Sequence, residues 1–165
     1  MLERKLNKVL FLTAIALIII MTFGTAVALV TQKNSPSDSW RRADPEPQKV
    51  MNMSRRSGEA LDAYTHLGQI RAVTKAPSEE ERGTLVIVSP WFSYPAGDTV
   101  LFEELSQKER QAKAILTEYF ASHTARELLS MGENSVKAEL LDLINGQLVL
   151  GKIRAIYFNE YVFFD

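Results

Sequence analysis

Few side chains in this sequence have the chemistry for catalysis, and their spacing argues against it. The two histidines, His66 and His123, stand far apart among polar neighbours, and neither belongs to an HExxH run or any other spaced set that would hold a metal. Both read as exposed or cap-adjacent residues. Carboxylates are paired at Glu103 and Glu104 and run from Glu79 to Glu81. Acid–base work needs two such groups held at a fixed separation, whereas neighbours in turns and helix starts serve solvation and the helix dipole. Ser106, three residues before Glu109, has the spacing of a helix N-cap, and no G-x-S-x-G elbow offers another serine nucleophile. The glycines never approach GxxxxGK[ST] or GxGxxG, and with no cysteine there is neither a disulfide nor a thiolate metal site. A cell-envelope enzyme would need a cleft in which Glu103, Glu104 or Asp98 has a perturbed pKa. The residues predict no enzyme, cofactor, metal or small-molecule substrate, and a chain that holds a position and makes contacts.

Charge and hydropathy say where that position is. A formal net charge of -1, with the charges mixed along 165 residues, gives no basic stripe for nucleic acid. Residues 1–8 carry Arg4, Lys5 and Lys8 against Glu3, and Val9 to Val30 follow without a charge. A helix over that run is about 33 Å long at about 1.5 Å per residue, enough to cross about 30 Å of hydrocarbon. Thr13, Thr22 and Thr25 can return their hydroxyls to the helix carbonyls. Ala26-Val27-Ala28 has the form of a leader-peptidase site, but the apolar run continues through Val30 with no polar segment before it. The expectation is an uncleaved bilayer anchor over 9–30, with a cytoplasmic tip and the remainder across the membrane.

Residues 31–62 read as a flexible linker. Pro36, Pro45 and Pro47 lie among mixed charges with no sustained period, and Met51 and Met53 alternate as in a short strand. A domain over 63–165 follows. Ile70, Ala72 and Thr74 suggest a strand, Lys75 to Gly83 a turn, and Thr84 to Ser89 a strand covered on both faces, interrupted at Pro90 before a half-strand with Trp91, Phe92 and Tyr94. Helical periodicity begins after Pro95 and puts Leu105, Ala112, Ile115, Leu116, Tyr119 and Phe120 on one stripe, with Ser106 and Glu109 in the form of a capping box. Thr124 and Glu127 form a second capping box, Gly132 ends that short helix, and a third helix turns Val136, Leu140, Leu143 and Ile144 inward before Asn145-Gly146. The closing stretch is aromatic and apolar on both alternating faces: Ile153, Ala155, Tyr157, Tyr161 and Phe163 on one, Ile156, Phe158, Val162 and Phe164 on the other. That pattern predicts a strand between two neighbours, with helices on one face and another subunit on the other. The fold class is α+β. Trp91, Phe92, Tyr94, Tyr161, Phe163 and Phe164 are the candidate contacts for an oligomer or partner.

The run from Glu103 to Asp165 resembles the C-terminal half of the flagellar basal-body-associated FliL family. The resemblance is carried by Ile115, Leu116 and Phe120, by Thr124, Glu127 and Leu128, and by Gly132, Val136, Lys137, Glu139, Leu140, Ile144, Asn145 and Leu148. It continues through Gly151, Ile153, Ile156, Tyr157, Phe158, Asn159, Glu160, Tyr161 and Val162. The charged tip, single apolar span and polar linker agree with it. The insertion "APSEEERG", the segment "SPWFSYPAGD" and the ending Phe163-Phe164-Asp165 depart from it. The resemblance implies a single-pass inner-membrane protein at the flagellar basal body, its periplasmic domain similar to the domain of stomatin-type (SPFH-like) scaffolds. It also implies a homo-oligomeric ring around the stator units that supports rotation and motility. Another membrane-tethered periplasmic assembly module would share the architecture.

Overall fold

The structure, a computed structural model, describes residues 44–164. The expected tip, the anchor over 9–30 and the first part of the linker lie outside the described residues, among which no helix is long and apolar enough to cross a membrane. In chain order come α1 (Pro47–Ser57), β1 (Leu61–Tyr64), β2 (Ile70–Val73), β3 (Leu85–Pro95), α2 (Thr99–Gln107), α3 (Glu109–Ser122), α4 (Ala125–Met131), α5 (Glu133–Gln147) and β4 (Ala155–Phe164).

The sheet is antiparallel and built on β3. β1 pairs with one end of it, Tyr64 opposite Phe92, and β2 with the other, Ile70 opposite Val88, so the two short strands share a single flank. The interval between them falls at Pro90, which has no N–H to give a neighbour. A strand break is expected there from sequence; β3 instead runs through the proline, and the ladder beside it is what stops. β4 lines the other flank of β3, from Ser93 opposite Ala155 to Leu85 opposite Phe164. It is therefore an edge strand, not the central strand expected from its apolar faces; β3 holds that place.

The even-numbered side chains of β3 face the helices. Val86, Val88, Phe92 and Tyr94 join Tyr64, Ile70 and Ala72, with Ile156 and Phe158 of β4, against Leu101, Leu105, Leu116, Phe120, Leu128, Val136, Leu140 and Ile144. The helix stripes read from sequence are thus buried, apart from Ile115, which is partly so, and Leu143, which is exposed. It lies one position from Ile144, far enough round the helix to leave the core.

Local chemistry explains the helix ends and corrects two of them. Ser106 is no N-cap: its hydroxyl donates to the Phe102 carbonyl near the end of α2. The start lies earlier, where the Asp98 carboxylate accepts from the Leu101 N–H at 3.0 Å. The expected single helix is then interrupted at Lys108, which ends α2 and precedes α3. α5 runs through Asn145 to Gln147, and the Asn145 side chain accepts from the Ile153 N–H and donates to the Ile153 carbonyl, giving the chain entering β4 a strand-like partner.

The capping box of α4 forms as read. The Glu127 N–H donates to the Thr124 hydroxyl at 3.2 Å, and the Thr124 N–H donates to the Glu127 carboxylate at 2.8 Å. Thr124→Ala is expected to cost about 1 kcal/mol, read as a lower urea midpoint with an unchanged m-value.

The linker expectation also changes. Pro47–Ser57 is a helix, with Pro47 in the first turn, where a missing N–H costs nothing, and Gly58 at φ 87° beyond its end. The two methionines lie on this helix, and Met53 is exposed.

Candidate functional site

None of the candidate chemistry converges. His66 is exposed beside Tyr64, ring centroids 5.2 Å apart. His123 follows α3, its Nδ1 2.8 Å from the Tyr119 carbonyl, a cap-adjacent role. Glu103 is exposed, and Asp98 caps α2. Among the described residues no group of three His, Cys, Asp or Glu could hold a metal ion.

Glu104 is the carboxylate buried among the described residues, 4% exposed, and its partners are structural. Its oxygens accept from the Val149 and Leu150 N–H groups, each at 2.8 Å, and from Lys108 Nζ at 2.7 Å. The Lys108 hydrogen bond, backed by the two N–H donors, holds its pKa down at about 2. Lys108 also donates to the Gln147 carbonyl. Together they clamp the α5–β4 connector onto α2, which leaves the carboxylate ionised and occupied and offers no general acid or base. Tyr119 is pushed upward by burial and by its 2.7 Å hydrogen bond to Glu139, so it stays a neutral donor.

The candidate contact residues separate into buried and exposed groups. Phe92 and Tyr94 belong to the helix-side core. Trp91 faces the opposite side of the sheet and is also buried, stacked on Tyr157 with centroids 4.2 Å apart and donating Nε1–H to Asn159 Oδ1. Tyr161 and Phe163 pack against the core edge. Phe164 alone of the six is largely exposed, at 48%.

A bulge in β4 accounts for this division. Val88 pairs with Tyr161 and Pro90 with Phe158, so Asn159 and Glu160 stand against the single residue Ser89. Before the bulge, Ile156 and Phe158 point at the helices; beyond it, Tyr161 and Phe163 do, while Val162 and Phe164 turn to the second face. The expected grouping of Val162 with Ile156 and Phe158 fails for this reason. The register then lines up Val73, Leu85 and Phe164 in one row and Arg71, Ile87 and Val162 in the next. Val73 is 58% exposed, Leu85, Val162 and Phe164 are exposed as well, and Ile87 is partly so. A polar row bounds them, with Gln69 and Ser89 both donating to the Glu160 carboxylate.

Sequence reasoning missed Val73, Leu85, Ile87 and Val162. The available signal was the failure of Asn159 and Glu160 to keep to one face, which is how an extra residue in a strand shows itself. The arrangement as a whole is a small α+β domain with α2 to α5 on one face of its sheet and an apolar area left open on the other.

No family model matches the chain. The flagellar protein FliL of Treponema pallidum (strain Nichols) is 34% identical to it over 147 residues, spanning 88% of this chain and 75% of that protein. The chain belongs to the FliL family.

Proposed function

We propose that this chain is a non-enzymatic, motor-associated component of the bacterial flagellum. It is anchored in the inner membrane by residues 9–30 and carries its folded domain in the periplasm at the basal body. There it forms a homo-oligomeric ring that surrounds or supports the stator units and modulates rotation. Family membership supports the flagellar reading, and the apolar run 9–30 behind a cationic tip supports the topology. The observation that carries self-association is the open rows Val73–Leu85–Phe164 and Ile87–Val162, a contiguous apolar area on the face of the sheet away from α2 to α5. Such areas mark contact sites when their surroundings are polar. A contact weak in solution becomes strong when a membrane holds the subunits in one plane at high effective concentration.

Full-length protein in lipid is expected to cross-link into species larger than dimers. Phe164→Ala is expected to remove most of them while moving the melting temperature by less than about 4 °C, the shift that accompanies about 1 kcal/mol or less in a domain of this size. A chain that stays monomeric at high surface density beside the stator complex would refute the ring. Imaging of intact motors from a deletion strain separates a motor component, whose loss removes density at the basal body, from a general envelope assembly module, whose loss leaves the motor unchanged.

A further inference from the structure

The second face of the sheet is open at one end and covered at the other. Trp91 and Ser93 point away from the helix-side core, yet each is 1% exposed. The segment that leads into the domain is tied to both flanks of the sheet at this end. It is fixed to β4 at one end, where the Asp44 carboxylate accepts from the Phe158 N–H at 2.6 Å. At the other end it is fixed to β1, where the buried Ser54 hydroxyl accepts from the Leu61 N–H at 3.0 Å. β1 and β4 lie on opposite flanks of β3 at the level of Trp91 to Ser93. With α2 to α5 on one face, a segment joining those flanks crosses the other, over Trp91.

This cover is held at its ends and loosely between them. Asp44 pairs with Lys137 Nζ at 2.5 Å, and Lys137 also pairs with Glu133 and lies 5.2 Å from the Phe158 ring centroid. Of α1, Ser54 alone is buried, and the helix starts at Glu46 without a side-chain cap. Ser93 Oγ, on the covered face, is buried without a hydrogen-bond partner. A groove of about 640 Å³ is lined by Asp44, Glu46, Pro47 and Gln48 of the segment with Thr65 and Asn159 of the domain. An eleven-residue helix without tertiary support is marginal in water. Segments with few buried apolar contacts open at free energies well below that of the whole domain.

We propose that residues 44–57 are a releasable strap, latched at Asp44 on Phe158 and Lys137. Release exposes Trp91 and Tyr157 next to the open apolar rows and lets α1 melt into tether, from about 1.5 to about 3.3 Å per residue. Asp44 precedes α1 and the whole sheet in the chain, so a pull from its N-terminal side loads the latch before the core. This inference does not depend on the flagellar reading.

Hydrogen exchange on the full-length chain in detergent micelles tests it. Trp40→Phe in every sample leaves Trp91 as the sole tryptophan. In Asp44→Ala the amides of 47–57 are expected to exchange about tenfold faster while those of β3 and α5 keep their rates, and Trp91 emission shifts to the red with easier acrylamide quenching. Lys137→Gln, which leaves the Asp44–Phe158 bond in place, is expected to give a smaller change in the same direction. Two results overturn the strap. Unchanged protection of 47–57 in both variants means the latch holds nothing. Equal acceleration of 47–57 and β3 means the segment is integral to the fold.

Discussion

Phe158→Ala is expected to cost about 3 to 5 kcal/mol of folding stability, the usual range for emptying a buried phenylalanine site. Phe158 has 0% exposure and lies in the middle of β4, with the Tyr161 ring 5.3 Å away on one side and Lys137 against its face. Its neighbours belong to the sheet and to α5, whose backbones are fixed by their own hydrogen bonds, so the cavity collapses only in part. A domain of this size has about 5 to 15 kcal/mol in total. The variant is therefore expected to lose a large fraction of its cellular abundance and to melt at least 10 °C lower, at about 4 to 8 °C per kcal/mol. Phe164→Ala, from an exposed position on the same strand, is the matched control. Equal losses of melting temperature in the two would show that both rings complete the core and would remove the division of labour along β4.

The second large effect concerns Glu104. Its folded pKa of about 2 lies below the ordinary value of 4.5, so the folded state binds this proton less readily than the unfolded chain. For a depressed carboxylate the stabilisation is fully present above the unfolded pKa and is lost as pH falls through the folded one. The window here runs from about pH 4.5 down to about 2. Glu104→Gln keeps the shape, removes the charge that Lys108 meets, and turns an amide N–H2 toward a group that donates. The expected result is a melting temperature lower by on the order of 10 °C at pH 7. Its stability should also vary less between pH 4.5 and 2 than that of the parent chain. Parallel acid limbs in the two proteins would mean that other carboxylates govern acid unfolding.

Much of the domain could be read from sequence because its helices bury one stripe each. The stripe of α3, the capping box at Thr124 and the inward residues of α5 follow from the 3.6-residue period and from the cap chemistry of a hydroxyl three residues before a glutamate. The hairpin of β2 and β3 followed from β-branched runs flanking a polar turn. What failed were features that exist only once distant segments meet. Glu104 looked like half of a solvated pair because its partners, the N–H groups of Val149 and Leu150, come from a connector remote in sequence. The segment 44–57 looked like tether because its ties are polar and end at Leu61 and Phe158. The contact residues were sought among the largest rings, yet Trp91, Phe92 and Tyr94 are buried because β3 is central, and smaller aliphatics line the open face. Ring size records how much a residue gains from burial, and not which neighbour supplies it.

The extra residue in β4 acts on this strand as a frameshift acts on a message. Upstream of Asn159 the inward positions are even-numbered, and downstream they are odd, so the strand is written in two phases around one junction. A relative lacking that residue would keep a single phase to its end. Aligned column by column without a gap, it would seem to have swapped inside for outside from Tyr161 onward, although its core was the same. The inward aromatic of such a chain then corresponds to Phe163 and its outward one to Phe164 only when the gap is opened at the junction.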